Sequence, residues 1–296
     1  MKKWIILALM AVGLMAWAGS GLAYENANGI GYFALQVPDP GAMAVDGKDG
    51  DWGWFDPAYI VGPDQMACTL TQVVPPKSDI DIAIKVGWTP EPDNRLYVFV
   101  RVVDDTLNID ETAMDDGWKD DDMEIILDVD HSNTFHGPAD GGDGMRTDMQ
   151  QWTFHVPTPG GYPQVAFMRW HQVPEMQWAI NEGLVEAAVD VQPKAEHLAT
   201  DVTVGYEVRM QAWDYYSPDG EAASTRHVFE AGQVLGMSVT LNEADSGGRT
   251  NQISTHPTEA GAHDSDFTSE FTLLGIGEYE TAVEPSSWGA VKALLR

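Results

Sequence analysis

Ile80-Asp81-Ile82-Ala83-Ile84-Lys85-Val86 and Leu96-Tyr97-Val98-Phe99-Val100-Arg101-Val102 decide the fold class of this chain. In the first, the isoleucines and Val86 recur every second residue, while Asp81 and Lys85 take the opposite face. A two-residue period places one face on a core and the other in water, as in a β-strand. In the second, both faces are largely apolar, which suits a central strand. Met123-Glu124-Ile125-Ile126-Leu127-Asp128-Val129 alternates again, and so does Val202-Thr203-Val204-Gly205-Tyr206-Glu207-Val208-Arg209-Met210. Weaker periodicity marks 149–156, 163–171, 184–191, 233–241 and 267–274. About nine or ten strands divided by Gly, Pro, Asp and Asn turns predict an all-β, antiparallel, jelly-roll-like β-sandwich. Helical signals are confined to 221–231, read as a short helix or turn, and to the tail 287–296, read as a short amphipathic helix behind a Ser cap.

The ends of the chain predict export. Lys2 and Lys3 precede an apolar run from Trp4 to Trp17, and Gly21-Leu22-Ala23 supplies the small residues of a cleavage site. That run is short of the ~20 residues a membrane span needs. The expected organisation is a secretory signal peptide at 1–23, an extended lead-in at 24–42, a single sandwich at 43–278 and a tail at 279–296. The destination is the extracellular space, the cell surface or the periplasm. Cys68 is the one cysteine, so no intramolecular disulfide can form. The net charge of −30 repels nucleic-acid phosphates and anionic membranes. No nucleic-acid partner and no membrane insertion are expected.

Catalytic motifs are missing. There is no Gly-x-Ser-x-Gly elbow, no His-Glu-x-x-His and no phosphate loop. With 46 acidic residues, any carboxylate pair chosen for hydrolysis would be arbitrary, so a non-catalytic role is expected. Two acid-rich regions could hold a hard cation, calcium before zinc. One is Asp46-Gly47-Lys48-Asp49-Gly50-Asp51, and the other runs from Asp104-Asp105 through Asp120-Asp121-Asp122 to Asp128 and Asp130. The candidate ligands are Asp46, Asp49, Asp51, Asp104, Asp105 and Asp122. The spacing is not that of an EF-hand, since Asn133 and Ala139 stand where Gly and Glu belong. The tryptophans are mostly core residues by size. Trp118 differs, set between Asp115-Asp116-Gly117 and Lys119-Asp120-Asp121-Asp122. An exposed indole beside carboxylates suits the flat C–H face and the hydroxyls of a sugar.

Five segments together resemble the family 9 carbohydrate-binding modules and their relatives on secreted bacterial proteins. They are Val45-Asp46-Gly47 with Asp51-Trp52; Leu96-Tyr97-Val98 through Val103-Asp104-Asp105; Trp118 through Glu124 to Asp128; Tyr206-Glu207-Val208 through Trp213; and Gly232 through Val239-Thr240-Leu241-Asn242-Glu243-Ala244-Asp245. The resemblance implies a β-sandwich that binds calcium and clamps the end of a sugar chain between two tryptophans. It implies Trp118 as one jaw, Glu124 and Asn242 as hydroxyl partners, and Arg249 nearby. Where the family often carries a second tryptophan, this chain reads Asn251-Gln252-Ile253-Ser254-Thr255-His256, and Glu243 replaces the usual Asp. Two functions follow as expectations. One is a secreted sugar-binding protein whose partner is a carbohydrate. The alternative is a structural or assembly protein of the cell surface that keeps the scaffold for a self-assembly or cell-surface partner. An exposed Trp118 beside Glu124 in a concave pocket favours the first, and a buried Trp118 the second.

Overall fold

The computed structural model describes residues 31–130, 147–158, 161–168 and 173–279. The signal peptide, most of the 136–148 loop, His131 and the 287–296 tail lie outside the described residues. Among the described residues fourteen strands form in chain order. They are β1 (Tyr32–Gln36), β2 (Ala67–Cys68), β3 (Ile80–Trp88), β4 (Leu96–Leu107), β5 (Asp122–Asp128), β6 (Gln150–His155) and β7 (Val165–Met168). There follow β8 (Val185–Gln192), β9 (Ala199–Met210), β10 (Trp213–Tyr215), β11 (Thr225–Arg226), β12 (Val234–Glu243), β13 (Asn251–Ser254) and β14 (Ser269–Leu274). Every segment with two-residue periodicity in the sequence contains a strand, residues 169–171 of the 163–171 segment lying outside the described residues. The 221–231 stretch contains only a 3-10 turn at Glu221–Ala223 and the two residues of β11.

One hydrogen-bonded path runs β7-β6-β5-β12-β14-β1-β3-β4-β9-β8, with β13 and β2 attached beside β12. Its two halves fold face to face. Ile82, Ile84, Val98, Val100, Val204 and Val208 of β3, β4 and β9 share one core with Met123, Ile125, Leu127, Trp152, Val239 and Leu241 of β5, β6 and β12. The sandwich is antiparallel except at its seam. There β1 runs parallel to both β14 and β3, joining the two halves. Tyr32–Gln36 falls in the expected extended lead-in, and its run Tyr-Phe-Ala-Leu-Gln shows no alternation. The reason is burial on both sides: Tyr32 and Ala34 enter the main core, while Leu35 enters a second one.

That second core explains the doubly apolar β4. Its even-numbered residues face the interior, and Tyr97 and Phe99 face outward, where Trp52 and Phe55 cover them. The covering segment is fastened by Glu207 of β9. The Glu207 carboxylate accepts from the backbone N–H of Asp46 (2.9 Å) and of Gly47 (3.0 Å), and from Trp52 Nε1 (2.8 Å). The turn sits tightly on the sheet. Gly47 holds φ +77°, and a Cβ on Gly205 would lie 2.1 Å from the Gly47 carbonyl oxygen, so only glycine fits either position. Replacing Glu207 by Ala orphans three donors, two of them backbone. Glu207→Ala is expected to lower unfolding stability by about 3 kcal/mol, measured by urea denaturation. A loss below about 0.5 kcal/mol would mean that the carboxylate does not fasten the turn.

Candidate functional site

The faces of β6, β5, β12 and β13 turned away from the main core are polar. Trp152 and Phe154 point inward from β6, leaving Gln151, Thr153 and His155 outward. Met123, Ile125 and Leu127 of β5 point inward, leaving Asp122 and Glu124 outward. Val239 and Leu241 of β12 do the same for Thr240 and Asn242. Strand register lines these side chains into rows. One row reads His155, Asp122, Asn242, Gln252, and the next reads Thr153, Glu124, Thr240, Ser254. All eight are buried. A buried polar face must satisfy itself or hold a ligand.

Most of it is satisfied through Asn242. Its Nδ2 donates to Asp122 Oδ1 (2.6 Å) and Glu124 Oε1 (2.9 Å). Its Oδ1 accepts from Arg249 Nη1 (2.9 Å) and Gln252 Nε2 (3.2 Å). Gln151 Nε2 donates to the other oxygen of Glu124 at 2.9 Å. Burial, and then the nearby Glu124, push the Asp122 carboxyl well above its usual range. His155 Nδ1 lies 3.4 Å from Asp122 Oδ2, and burial holds this imidazole down to about 4. The histidine is therefore neutral at pH 7 and forms no ion pair.

Loops wall this floor into a cavity of about 250 Å³. A 3-10 turn at Met114–Lys119 brings Met114 and Trp118, β7 ends in Met168, and a 3-10 turn at Glu259–Ala262 brings Glu259 and Ala262. Glu124, Gln151, His155, Arg249 and Gln252 also line it. Trp118 is 40% exposed, whereas Trp52, Trp88, Trp152 and Trp213 are fully buried. The Arg249 guanidinium lies 4.9 Å from the centre of the Trp118 ring. Gly117 lets the turn settle, since a Cβ there would meet His155 Cε1 at 2.5 Å.

The structure thus brings together Trp118, Glu124, Asn242 and Arg249, the four residues expected from the sequence. Asn242 lies behind the lining and orients Glu124 and Arg249. Gln151, Thr153, Gln252, Met168 and Glu259 were not foreseen. Strand alternation around Trp152 and Ile253 could have signalled the first three, but nothing local marks the Glu259 turn as a neighbour of Trp118.

The six acidic candidates separate. Asp46 Oδ1 accepts from Lys48 N, Asp49 pairs with Lys85, and Asp51 Oδ2 accepts from Ala44 N. Asp122 belongs to the polar row of the cavity. Asp104 and Asp105 lie at another cluster, where ligand-type oxygens of Asp79, Glu243 and Asp245 fall within 4.8 Å of one another. Asp104 and Asp105 act electrostatically on this group. Burial pushes Glu243 up to about 7 and Asp104 up to about 6. Glu243 Oε2 accepts from Asn251 Nδ2 (2.8 Å), whereas its buried Oε1 accepts no hydrogen bond among the described residues. A buried Glu243 with one orphaned oxygen, a half-buried Asp79 and an exposed Asp245 form a site that could coordinate a cation. Glu243 and Asp245 stand inside a quoted motif, while Asp79 has no local signal.

Comparison with known proteins supports the same architecture. The family model described as "Carbohydrate family 9 binding domain-like" matches residues 45–273. No curated protein matches the sequence. Two solved structures of a carbohydrate binding module family 9 from Caldicellulosiruptor kristjanssonii, one in complex with cellotriose and one with glucose, superpose with TM-scores of 0.54 and 0.52. They are 15% and 17% identical in sequence, cover 86% of this chain each, and are themselves covered over 99% and 98%. At that identity the likeness is one of fold.

Proposed function

This chain belongs to the carbohydrate family 9 binding domain-like family, and from that premise we propose that it binds a sugar, without cleaving it, in the Trp118 cavity. The observation that carries this reading is the exposed indole of Trp118 over a floor where Glu124 is held as an acceptor. A pyranose can lay its C–H face against such a ring and donate its hydroxyls to the carboxylate. Gln151 Oε1 and His155 Nδ1 are buried without a hydrogen-bond partner among the described residues. Both belong to residues lining the cavity, and a polar ligand would relieve them. The relatives' complexes with cellotriose and glucose support the choice of ligand class. A buried Trp118 would favour the assembly alternative, and this residue is 40% exposed. Among the described lining residues Trp118 alone offers a large aromatic face, so weak affinity is expected. Among the described residues no helix is long and apolar enough to cross a membrane. The basic, apolar and small-residue pattern of residues 1–23 supports export.

The cluster of Asp79, Glu243 and Asp245 fits calcium. Its donors are hard oxygens, and one of them is orphaned. A bound divalent ion would neutralise carboxylates that burial now disfavours in their charged form.

Titrating the purified protein with mono- and disaccharides, while following tryptophan fluorescence, tests the sugar reading. The expected result is a saturable change that Trp118→Ala abolishes. No response to any sugar would sink this reading. For calcium, the expected result is a rise in Tm of several degrees on adding about 1 mM ion, lost in Glu243→Gln. An equal rise in Glu243→Gln would place the ion elsewhere.

A further inference from the structure

Every described Lys and Arg lies within ion-pair distance of a carboxylate except Arg95 and Arg249. In a chain with 46 acidic and 16 basic residues, such an exception calls for a reason. Arg95 is spent on the protein, since its Nη1 donates to the Leu184 carbonyl and to Gln211 Oε1, both at 3.2 Å. Arg249 lines the cavity instead. Its Nη1 is held by Asn242 Oδ1 at 2.9 Å, and its plane is braced 4.9 Å from the Trp118 ring centre. Its remaining N–H groups meet no carboxylate among the described residues. The buried Asp122 feels this charge, yet burial favours its neutral form and Asn242 already occupies one of its oxygens. A guanidinium fixed by one hydrogen bond and a ring, with donors left over, is prepared for a planar anion.

Resting on the sugar reading above, we propose that the cavity selects a uronic-acid residue, whose carboxylate pairs with Arg249 while its hydroxyls meet Glu124 and Glu259. The three chemistries of the cavity then map onto one ligand. Trp118 takes the C–H face, the glutamates take hydroxyl donors, and the guanidinium takes the carboxylate. The net charge of −30 repels a densely charged polyuronate at long range. The matching ligand is therefore a sparsely charged polysaccharide, mostly neutral sugars with scattered uronic-acid residues, in which recognition depends on close contact and not on electrostatic steering.

Calorimetric titration of the full chain with methyl glucuronide, methyl glucoside and the neutral methyl glucuronamide tests this, with the galacto series alongside. In at least one series the uronide is expected to bind about tenfold more tightly than both neutral ligands, as a charge-assisted bidentate contact would give. In Arg249→Met the ratio of uronide to glucoside affinity is expected to fall to about one. If Arg249→Met does not fold, the uronide and uronamide affinities for the unaltered protein decide alone. Neutral sugars binding as well as uronides in both series would overturn this inference and leave the sugar reading standing. No binding by any ligand would remove both. A uronide preference that persists in Arg249→Met would also overturn it, by placing the carboxylate on another group.

Discussion

The side-chain amide of Asn242 holds the site together. It uses its full hydrogen-bonding capacity, donating to Asp122 and Glu124 and accepting from Arg249 and Gln252. Those partners come from β5, β13 and the loop between β12 and β13, so a single amide joins three neighbouring segments. In a buried environment such bonds are strong when complete and costly when broken. The amide also sorts charge. It offers donors to the acids that line β5 and an acceptor to Arg249, the one Lys or Arg among the described residues of the cavity lining. Arg249 is thereby directed over Trp118 instead of being drawn into a buried ion pair with Asp122.

The same strand ends serve the second site. Asp122 and Asn242 face the cavity, while their sequence neighbours Asp121 and Glu243 belong to the acidic cluster that includes Asp104. Asp121 Oδ1 accepts from the backbone N–H of Ala244 at 2.8 Å, fastening the end of β12 to the start of β5. The Trp118 cavity and the acidic cluster thus share the backbone of β5 and β12. The fold reinforces this arrangement from the far side of the sandwich, where Glu207 of β9 fastens the Asp46–Trp52 turn over Tyr97 and Phe99. Two of the quoted family segments, Val45-Asp46-Gly47 with Asp51-Trp52 and Tyr206-Glu207-Val208, turn out to be the two sides of that contact.

Much of this was legible in the residues. Alternation in 80–86, 123–129 and 202–210 reports strands because one face meets the main core while the other is mostly polar, even where, as in β5, that polar face is buried too. Trp118 stood out because a large ring among five aspartates is a poor core residue, and its exposure accords with that. Other features escaped for physical reasons. Tyr32–Gln36 is buried on both faces, so it lacks a period to detect, and its parallel pairing depends on partners at both ends of the chain. Asp79 and the Glu259 turn reach their sites only through tertiary folding. Asp46, Asp49 and Asp51 looked like ligands as a string; Asp46 and Asp51 each accept from a backbone N–H and Asp49 pairs with Lys85, while Asp51 Oδ1 is buried without a hydrogen bond among the described residues.

The most direct test of the central claim is a crystal structure of the protein with a bound sugar. The account predicts a pyranose ring against the exposed side of Trp118, with a hydroxyl oxygen within about 3 Å of a Glu124 oxygen and Asn242 still bridging Asp122 and Glu124. A sugar bound on another surface, with Trp118 packed against protein, would contradict it.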